Sequence, residues 1–163
     1  MNFGANQAYG DILLFLHADC ILPEEGFRII RKVLKDSAVS AGAFDLSIDS
    51  PNLRFRIIEY GANLRSRITS IPYGDQGLFM KREVFDKLGG FADIPLMEDI
   101  EISRRLKAMG KIIFIGPPIK TSSRRWLKEG SVFTTLRDWA IAVSFAFFKV
   151  SPHRLIKYYE DVR

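Results

Sequence analysis

The chain has little cysteine, histidine or tryptophan: its 163 residues include one Cys, two His and two Trp. The single cysteine, Cys20, excludes an intramolecular disulfide framework and a zinc site of several cysteines, and it is typical of a reducing compartment. Residues 1–10 lack the basic and apolar regions of a signal peptide. The longest strongly apolar stretch, residues 139–148, is too short for a transmembrane helix of roughly 20 residues. We therefore expect a cytoplasmic protein without a membrane-spanning segment.

Internal repeats, low-complexity tracts and long Gly, Ser or Pro linkers are also lacking, which predicts one packed unit. Hydrophobic residues make up 47% and charged residues 26% of the chain, so disorder and a coiled coil are disfavoured. Lys and Arg outnumber Asp and Glu by 24 to 19, which favours an anionic partner: a phosphorylated ligand, an acidic membrane surface or nucleic acid. Because the basic residues are scattered and no nucleic-acid-binding motif occurs, we do not expect nucleic acid to be the partner.

The pattern of apolar residues indicates an α/β fold. Residues 12–16 form a continuous apolar run, which predicts a central strand of a parallel sheet, buried on both faces. This strand ends at His17 and Asp19, at the position where open α/β sheets bind their ligands.

The other predicted elements alternate along the chain. A helix after Pro23 is expected to bury Phe27, Ile30 and Leu34. Strands are predicted at residues 41–48, 77–80 and 111–115, with a break at 116–118, and helices at residues 53–64, 82–88 and 98–109.

The last forty residues are both apolar and basic. They predict a helix over residues 131–149, a break at Pro152 and a short final helix. Two interpretations stay open: the long helix packs on the protein's own core, or it contacts a partner or lies on an anionic membrane surface. Its apolar residues are Trp139, Ile141, Val143, Phe145, Phe147 and Phe148, and the flanking basic residues are Arg137, Lys149, Arg154 and Lys157.

His17 and Asp19 form the first candidate site. Side chains two residues apart in an extended segment project to the same side, so both could face one ligand. A carboxylate there suits a hard divalent cation that keeps several waters and bridges phosphates. The alternative is a solvated, loop-capping Asp19 next to a structural histidine.

Glu98 and Asp99 are adjacent carboxylates in the first turn of a predicted helix. A helix N-terminus stabilises negative charge, so simple capping is one interpretation. The other is that one carboxylate faces a cleft and acts as a general base toward a hydroxyl group.

Two further segments carry polar groups suited to ligands. Residues 73–77 form a turn in which two glycines permit close backbone approach and Asp75 and Gln76 offer sugar-like hydrogen bonds. A plain tight turn is the alternative. In residues 122–126, Arg124 and Arg125 could clamp a phosphate beside Trp126; the alternative is a basic surface loop with the tryptophan in the core.

The order and spacing of these motifs resemble the family-two glycosyltransferases of the GT-A fold. The resemblance covers nearly the whole chain and includes Leu-Gly-Gly-Phe at residues 88–91 before Leu-Met-Glu-Asp at 96–99. Within that family the chain is most similar to the small bacterial branch of selenodomain-associated transferases, which share the opening Met-Asn-x-Gly-Ala of residues 1–5.

This resemblance implies transfer of a sugar from a nucleotide-diphosphate donor to an acceptor hydroxyl, with inversion. Asp19 occupies the last position of the element that binds a divalent cation, Mn²⁺ or Mg²⁺, on the donor diphosphate. Asp99 matches the family's general base, with Glu98 beside it as a supporting acid. The residues implied in donor binding are Asn2, Gly4, Ala5, His17, Asp75, Gln76, Arg124, Arg125 and Trp126.

Three departures from the family pattern refine these expectations. His17 stands where many relatives carry Asp, and Ser122 occupies the Gln position of the QxxRW element, which argues against a polymer-extending synthase. The strand–helix–strand unit that holds the nucleotide base in relatives is expected to precede Met1. We therefore expect a partial GT-A domain over residues 1–126 and a C-terminal helical extension over residues 127–163.

A sheet without its first strands would expose apolar edges, so we expect a homo-oligomer or a partner that completes it. The expected ligands are a nucleotide sugar and an acceptor of unknown identity, with the protein at the inner face of the membrane if its C-terminal helices bind lipid. The alternative function is a non-catalytic interaction module that keeps the fold.

Overall fold

The computed structural model describes residues 1–159 as a mixed five-stranded sheet with helices on both faces. This confirms the predicted α/β class and the mixed sheet flanked by helices. The strands are β1 (Ile12–Phe15), β2 (Cys20–Ile21), β3 (Val39–Asp49), β4 (Leu78–Lys81) and β5 (Lys111–Ser122). The helices are α1 (Asn2–Gln7), α2 (Gly26–Val33), α3 (Leu53–Thr69), α4 (Arg82–Leu88), α5 (Glu98–Met109), α6 (Arg124–Glu129), α7 (Ser131–Ala146) and α8 (Pro152–Leu155), with 3₁₀ turns at Gly74–Gln76 and Ile156–Tyr158.

The sheet order is β1-β4-β3-β5-β2, and β3 pairs in parallel with β5. The other three pairings are antiparallel. Consequently β1, β3 and β5 run in the same direction. The carboxyl ends of β1 and β5 and the start of β4 therefore lie at the same end of the sheet. The turn before β4 and the loops after β1 and β5 are therefore brought together.

The sheet separates two apolar cores. On one face, Met80 of β4 and Ala41 of β3 pack with Phe85 of α4 and Leu106 of α5. On the other face, Phe44 and Phe79 pack with residues of α2 and α3, including Ile30. Ser40 and Ala41 near the start of β3 are small, which lets α5 pack close enough for the Ser40 hydroxyl to donate to the Leu106 carbonyl (3.0 Å).

Helix α5 matches its predicted bounds, with Ile102 and Leu106 fully buried and Gly110 immediately after it. Helix α4 also matches, and Gly89 ends it in the left-handed conformation with φ of 73°. Helix α3 continues five residues beyond its predicted end because no breaker occurs before Ser70, which adopts φ of 53°.

The prediction for residues 12–16 was wrong in two respects. In the described sheet β1 is an edge strand, antiparallel to β4, and not a central parallel strand. Burial on both faces is also only partial: Leu13 is buried in one core, whereas Ile12 and Leu14 are partly buried against the other and Leu16 is exposed. Hydrophobic periodicity reports which faces are covered but not how many neighbours a strand has.

Two other predictions were also wrong. The strand at 111–115 does not stop at residues 116–118 but continues to Ser122, because these residues bulge out opposite Asp45 while the pairing resumes at Ile119. Phe27 is 63% exposed, since Gly26 packs against Leu22 and turns the buried face of α2 toward Ile30.

Helix α7 packs on the protein through one face, where Thr134, Ile141 and Ala142 are buried. It ends three residues earlier than predicted, at Ala146. Through residue 159, the structure contains no helix with both the length and the apolarity needed to cross a bilayer.

Replacing Gly42 with Ala should destabilise the fold, because a Cβ at this position in β3 would overlap the ring of Phe79. Overpacking of this kind costs about 1–3 kcal/mol of unfolding free energy. Urea denaturation followed by circular dichroism measures the loss. Gly4→Ala is the matched control, since a Cβ on Gly4 meets nothing within 4 Å; an equal loss in both variants would contradict this account of the core.

Candidate functional site

A cavity of about 190 Å³ lies where the loops after β1 and β5 meet the turn before β4 and the start of α5. Residues of α6 and α7 close its other side. Its lining includes seven of the predicted site residues: His17, Asp19, Asp75, Glu98, Asp99, Arg125 and Trp126. The structure thus gathers side chains that lie more than a hundred positions apart in the chain.

His17 and Asp19 belong to the loop between β1 and β2, and both are exposed. The loop is held by two backbone hydrogen bonds, from the Cys20 N–H to the carbonyl of His17 and from the Ser122 N–H to the carbonyl of Asp19. The imidazole of His17 lies against Gly74, where an added Cβ would be 2.5 Å from Nε2. The absence of a side chain at Gly74 therefore allows this histidine to face the cavity.

Cys20 follows Asp19 directly but is buried. Burial raises the pKa of its thiol to about 11. Since the thiolate is the reactive form, Cys20 is not suited to act as a nucleophile at neutral pH.

Asp99 is fixed at the N-terminus of α5. Its Oδ2 accepts a hydrogen bond from the Gly74 N–H (2.8 Å), and its Oδ1 accepts one from the Ile100 N–H (2.7 Å). Met97, which precedes the helix, adopts the left-handed conformation with φ of 67° and lines the same cavity. This uncommon backbone conformation brings Glu98 and Asp99 to the cavity wall.

The pKa of Asp99 is raised to about 6. Burial is the largest cause, and repulsion from Glu98 adds to it, while the hydrogen bonds from Gly74 and Ile100 act in the opposite direction. Burial likewise raises the pKa of Asp75, and the electrostatic interaction with His17 opposes that rise. Asp99 is consequently ionised above about pH 6 and is more basic than an ordinary aspartate.

Arg125 is held in the cavity wall by two side chains that sequence analysis did not single out. Its guanidinium donates to Asp138 Oδ1 (2.9 Å) and to Tyr159 Oη (2.7 Å). The sequence does carry a signal for Asp138, because Arg137 and Asp138 are the only charged residues in the apolar helix α7. Trp126 completes this wall and packs edge-on against Phe55 of α3, with ring centroids 6.3 Å apart.

Tyr73 and Arg65 support the turn that carries Asp75. The Arg65 guanidinium stacks on the Tyr73 ring at 3.2 Å from its centroid and donates to the carbonyl of Ile71. Burial lowers the pKa of Arg65 and raises the pKa of Tyr73. Tyr73 lies in the turn singled out at residues 73–77 but was not itself predicted as a site residue, and nothing in the local sequence of Arg65 marks it for the site.

Three predicted donor-binding side chains lie elsewhere. Gln76 is buried beneath the turn, where its carbonyl accepts from Ser66 Oγ and from the Tyr73 N–H. The amide of Asn2 bonds the backbone of Phe91 at both its carbonyl and its N–H. Arg124 is exposed and is not part of the cavity wall.

Gly4 and Ala5 line a second cavity, of about 750 Å³, between α1 and β1. This cavity meets the first at His17 and Glu98, which line both. The two cavities therefore adjoin at these two residues.

Across residues 1–159, no three His, Cys, Asp or Glu side chains are placed to hold a metal ion by themselves. The carboxylates of the first cavity are nevertheless oxygen ligands of the kind that Mg²⁺ and Mn²⁺ prefer. These ions commonly bind through one or two carboxylates, with the remaining positions filled by substrate phosphates and water. A cation at Asp19 would therefore need a phosphorylated ligand and water to complete its coordination.

No protein-family model matches the chain, and no curated protein matches it either.

Replacing Glu98 with Gln should lower the pKa of Asp99, because the substitution removes a neighbouring negative charge and leaves the burial of Asp99 in place. Carboxyl-carbon NMR during a pH titration measures this pKa directly. The control is Glu83→Gln, an exposed acid in α4 that does not line the cavity. An unchanged or higher pKa in the Glu98 variant would contradict the proposed repulsion.

Proposed function

We propose that this chain is a metal-dependent, inverting glycosyltransferase of GT-A type, or the catalytic part of one. The observation that carries the proposal is the grouping of Asp19, Asp75, Glu98 and Asp99 with Arg125 around one cavity. A cavity with carboxylates for a cation and a base, and a guanidinium for phosphate, suits transfer of a group from a diphosphate leaving group.

The position of the cavity in the fold supports this proposal. It lies at the carboxyl ends of β1 and β5, and α/β sheets commonly bind ligands beyond such strand ends. The mixed sheet with helices on both faces is also the architecture that the resemblance implies.

Asp99 is proposed as the general base. At neutral pH it is ionised, and its raised pKa makes it a better proton acceptor than an exposed aspartate. Each of its oxygens accepts one backbone hydrogen bond, so each keeps a further lone pair for an acceptor hydroxyl. Glu98 keeps the carboxylate basic through its own charge.

Asp19 would hold the divalent cation, Mn²⁺ or Mg²⁺, with His17 next to it on the same loop. When bound, such a cation supplies Lewis-acid stabilisation of the departing diphosphate. Arg125, oriented by Asp138 and Tyr159, would offset the same negative charge from the opposite segment of the chain.

In the proposed reaction, the bond between the anomeric carbon of the donor sugar and the diphosphate oxygen breaks, and its electron pair leaves with the nucleoside diphosphate. The acceptor oxygen forms a new bond to the same carbon from the other side, which inverts the configuration. The proton of the acceptor hydroxyl passes to Asp99. Charge and atoms balance without any further reactant.

The dimensions of the two cavities favour a division of the donor between them. The cavity at Asp19 is smaller than the roughly 300–1,000 Å³ of typical ligand pockets and suits the sugar and phosphates alone. The adjoining cavity beside Gly4 and Ala5 has room for a nucleoside.

The second candidate is a non-catalytic module that binds a nucleotide or another partner. One observation favours it: both oxygens of Asp99 are engaged by backbone N–H groups, as in a helix cap. A structural cap and a general base differ in what their loss does to turnover.

Replacing Asp99 with Asn should lower transfer or donor hydrolysis by roughly 10²–10⁴-fold, because the proton acceptor is lost. Release of nucleoside diphosphate measures the rate, and the nucleotide-induced rise in unfolding temperature should stay close to that of the unchanged protein. Asp93→Asn, an exposed acid outside the cavity, is the control. Parallel loss of binding and turnover would remove Asp99 from the role of base.

Replacing Asp19 with Ala should abolish the metal-dependent part of nucleotide binding. Thermal unfolding with UDP, GDP or dTDP, each with and without Mn²⁺, measures it. A ligand at about 100 times its dissociation constant adds roughly 2.7 kcal/mol of stability, and each kcal/mol raises the unfolding temperature by about 2–4 °C at this size. Glu24→Ala, an exposed acid in the next loop, is the control. An unchanged metal-dependent shift in the Asp19 variant would contradict its assignment.

A further inference from the structure

Helix α3 carries an apolar stripe that nothing in the described chain covers. Its members recur at spacings of three and four residues, which places them on one face of the helix. All five are exposed, four of them to at least 70%. They are Leu53, Ile57, Tyr60, Leu64 and Ile68.

Helix α7 carries a second stripe with the same spacing, ending at its C-cap residue. Its members are also exposed, and the two charged residues of the helix, Arg137 and Asp138, lie away from them and pair with each other and with α6. The outer face of α7 is therefore free of charge. The stripe consists of Val132, Leu136, Trp139, Val143 and Phe147.

The two stripes join at Trp139. Its indole lies beside Gly61 of α3, where an added Cβ would be 3.7 Å from the ring. Gly61 borders the α3 stripe between Tyr60 and Leu64, so the indole bridges one stripe to the other. We call this combined surface the α3/α7 face. A contiguous apolar surface of this kind marks an interaction site.

The segments that carry the α3/α7 face are mostly basic, although Arg67 at its border pairs with Asp45 of β3. Residues 53–69 and 124–159 contain eleven Lys and Arg against three Asp and Glu, whereas residues 1–52 and 70–123 contain twelve against fourteen. The three acids, Glu59, Glu129 and Asp138, are turned inward and paired with arginines. The exposed basic residues of these segments are Arg54, Arg56, Arg67, Arg124, Lys128, Lys149, Arg154 and Lys157.

We infer that the α3/α7 face docks on an anionic lipid bilayer, with the two helices lying in the membrane interface. An apolar stripe bordered by Lys and Arg and carrying Trp and Tyr is the pattern of helices that bind there. Surface cations are attracted to anionic headgroups, which adds to the burial of the apolar side chains.

The charge pattern favours an anionic bilayer over a second copy of the chain as the partner of the α3/α7 face. Two α3/α7 faces brought together would place cations opposite cations, which opposes association. An anionic bilayer complements both the apolar stripes and the basic border. This inference does not depend on the proposed transferase activity.

Flotation of the full chain with lipid vesicles tests the inference. The protein should float with vesicles that contain phosphatidylglycerol and much less with pure phosphatidylcholine, and high salt should weaken the binding. The double variant Leu64→Ser with Leu136→Ser should lower the vesicle partition coefficient by roughly tenfold or more, because two large apolar side chains no longer enter the interface.

The matched control is Phe3→Ser with Tyr9→Ser, which removes two exposed apolar side chains at the N-terminal end of the chain. It should bind vesicles as the unchanged protein does. Since all four positions are exposed, thermal unfolding should show that every variant folds. A charge-reversal pair completes the set: Lys149→Glu should weaken binding to anionic vesicles, and Lys87→Glu in α4 should not.

Two outcomes would overturn the inference. The first is that the unchanged protein does not float with anionic vesicles. The second is that the Leu64 and Leu136 substitutions convert a dimer into a monomer in analytical ultracentrifugation without changing lipid binding, which would assign the α3/α7 face to self-association.

Discussion

The parallel pairing of β3 with β5 is the constraint on which the rest of the structure depends. It joins the two longest strands and carries both apolar cores on its faces. Because the pairing continues past the bulge opposite Asp45, β5 reaches Ser122 and delivers α6 to the edge of the cavity. A strand that stopped at residue 115 would leave Arg125 and Trp126 without a fixed position.

In the candidate site, fixed backbone segments hold several carboxylates close together, which is electrostatically unfavourable. Five carboxylates line one cavity and repel one another, and burial adds to the cost of charge on Asp75 and Asp99. The backbone N–H groups of Gly74 and Ile100 offset part of it at Asp99, and the guanidinium of Arg125 offsets part of it at Asp138. A raised pKa at Asp99 is the consequence of this balance, and in the proposed function it is also what makes the residue a useful base.

Much of the fold could be predicted from local pattern. Helix α5 has its predicted bounds because its apolar period, its acidic first turn and Gly110 all agree. The pairing of β1 could not be predicted, since covered faces look alike in a central and an edge strand. The course of β5 was missed because residues 116–118 are typical of a break, and only the partner strand β3 shows that they form a bulge. Asp19 and Asp99 were singled out from the sequence, whereas Asp138 and Tyr159 were not, because their role depends on a contact with Arg125.

The sequence by itself determined the α/β class, most helix positions and the residue types suited to phosphate, cation and proton chemistry, because periodicity, capping and side-chain chemistry are local properties. Only the tertiary structure decided which of those residues share a cavity, that the Gln76 amide is a buried support, and that α3 and α7 present joined apolar faces. Those outcomes depend on contacts between segments far apart in the chain, and such contacts are set by the packing of the whole sheet.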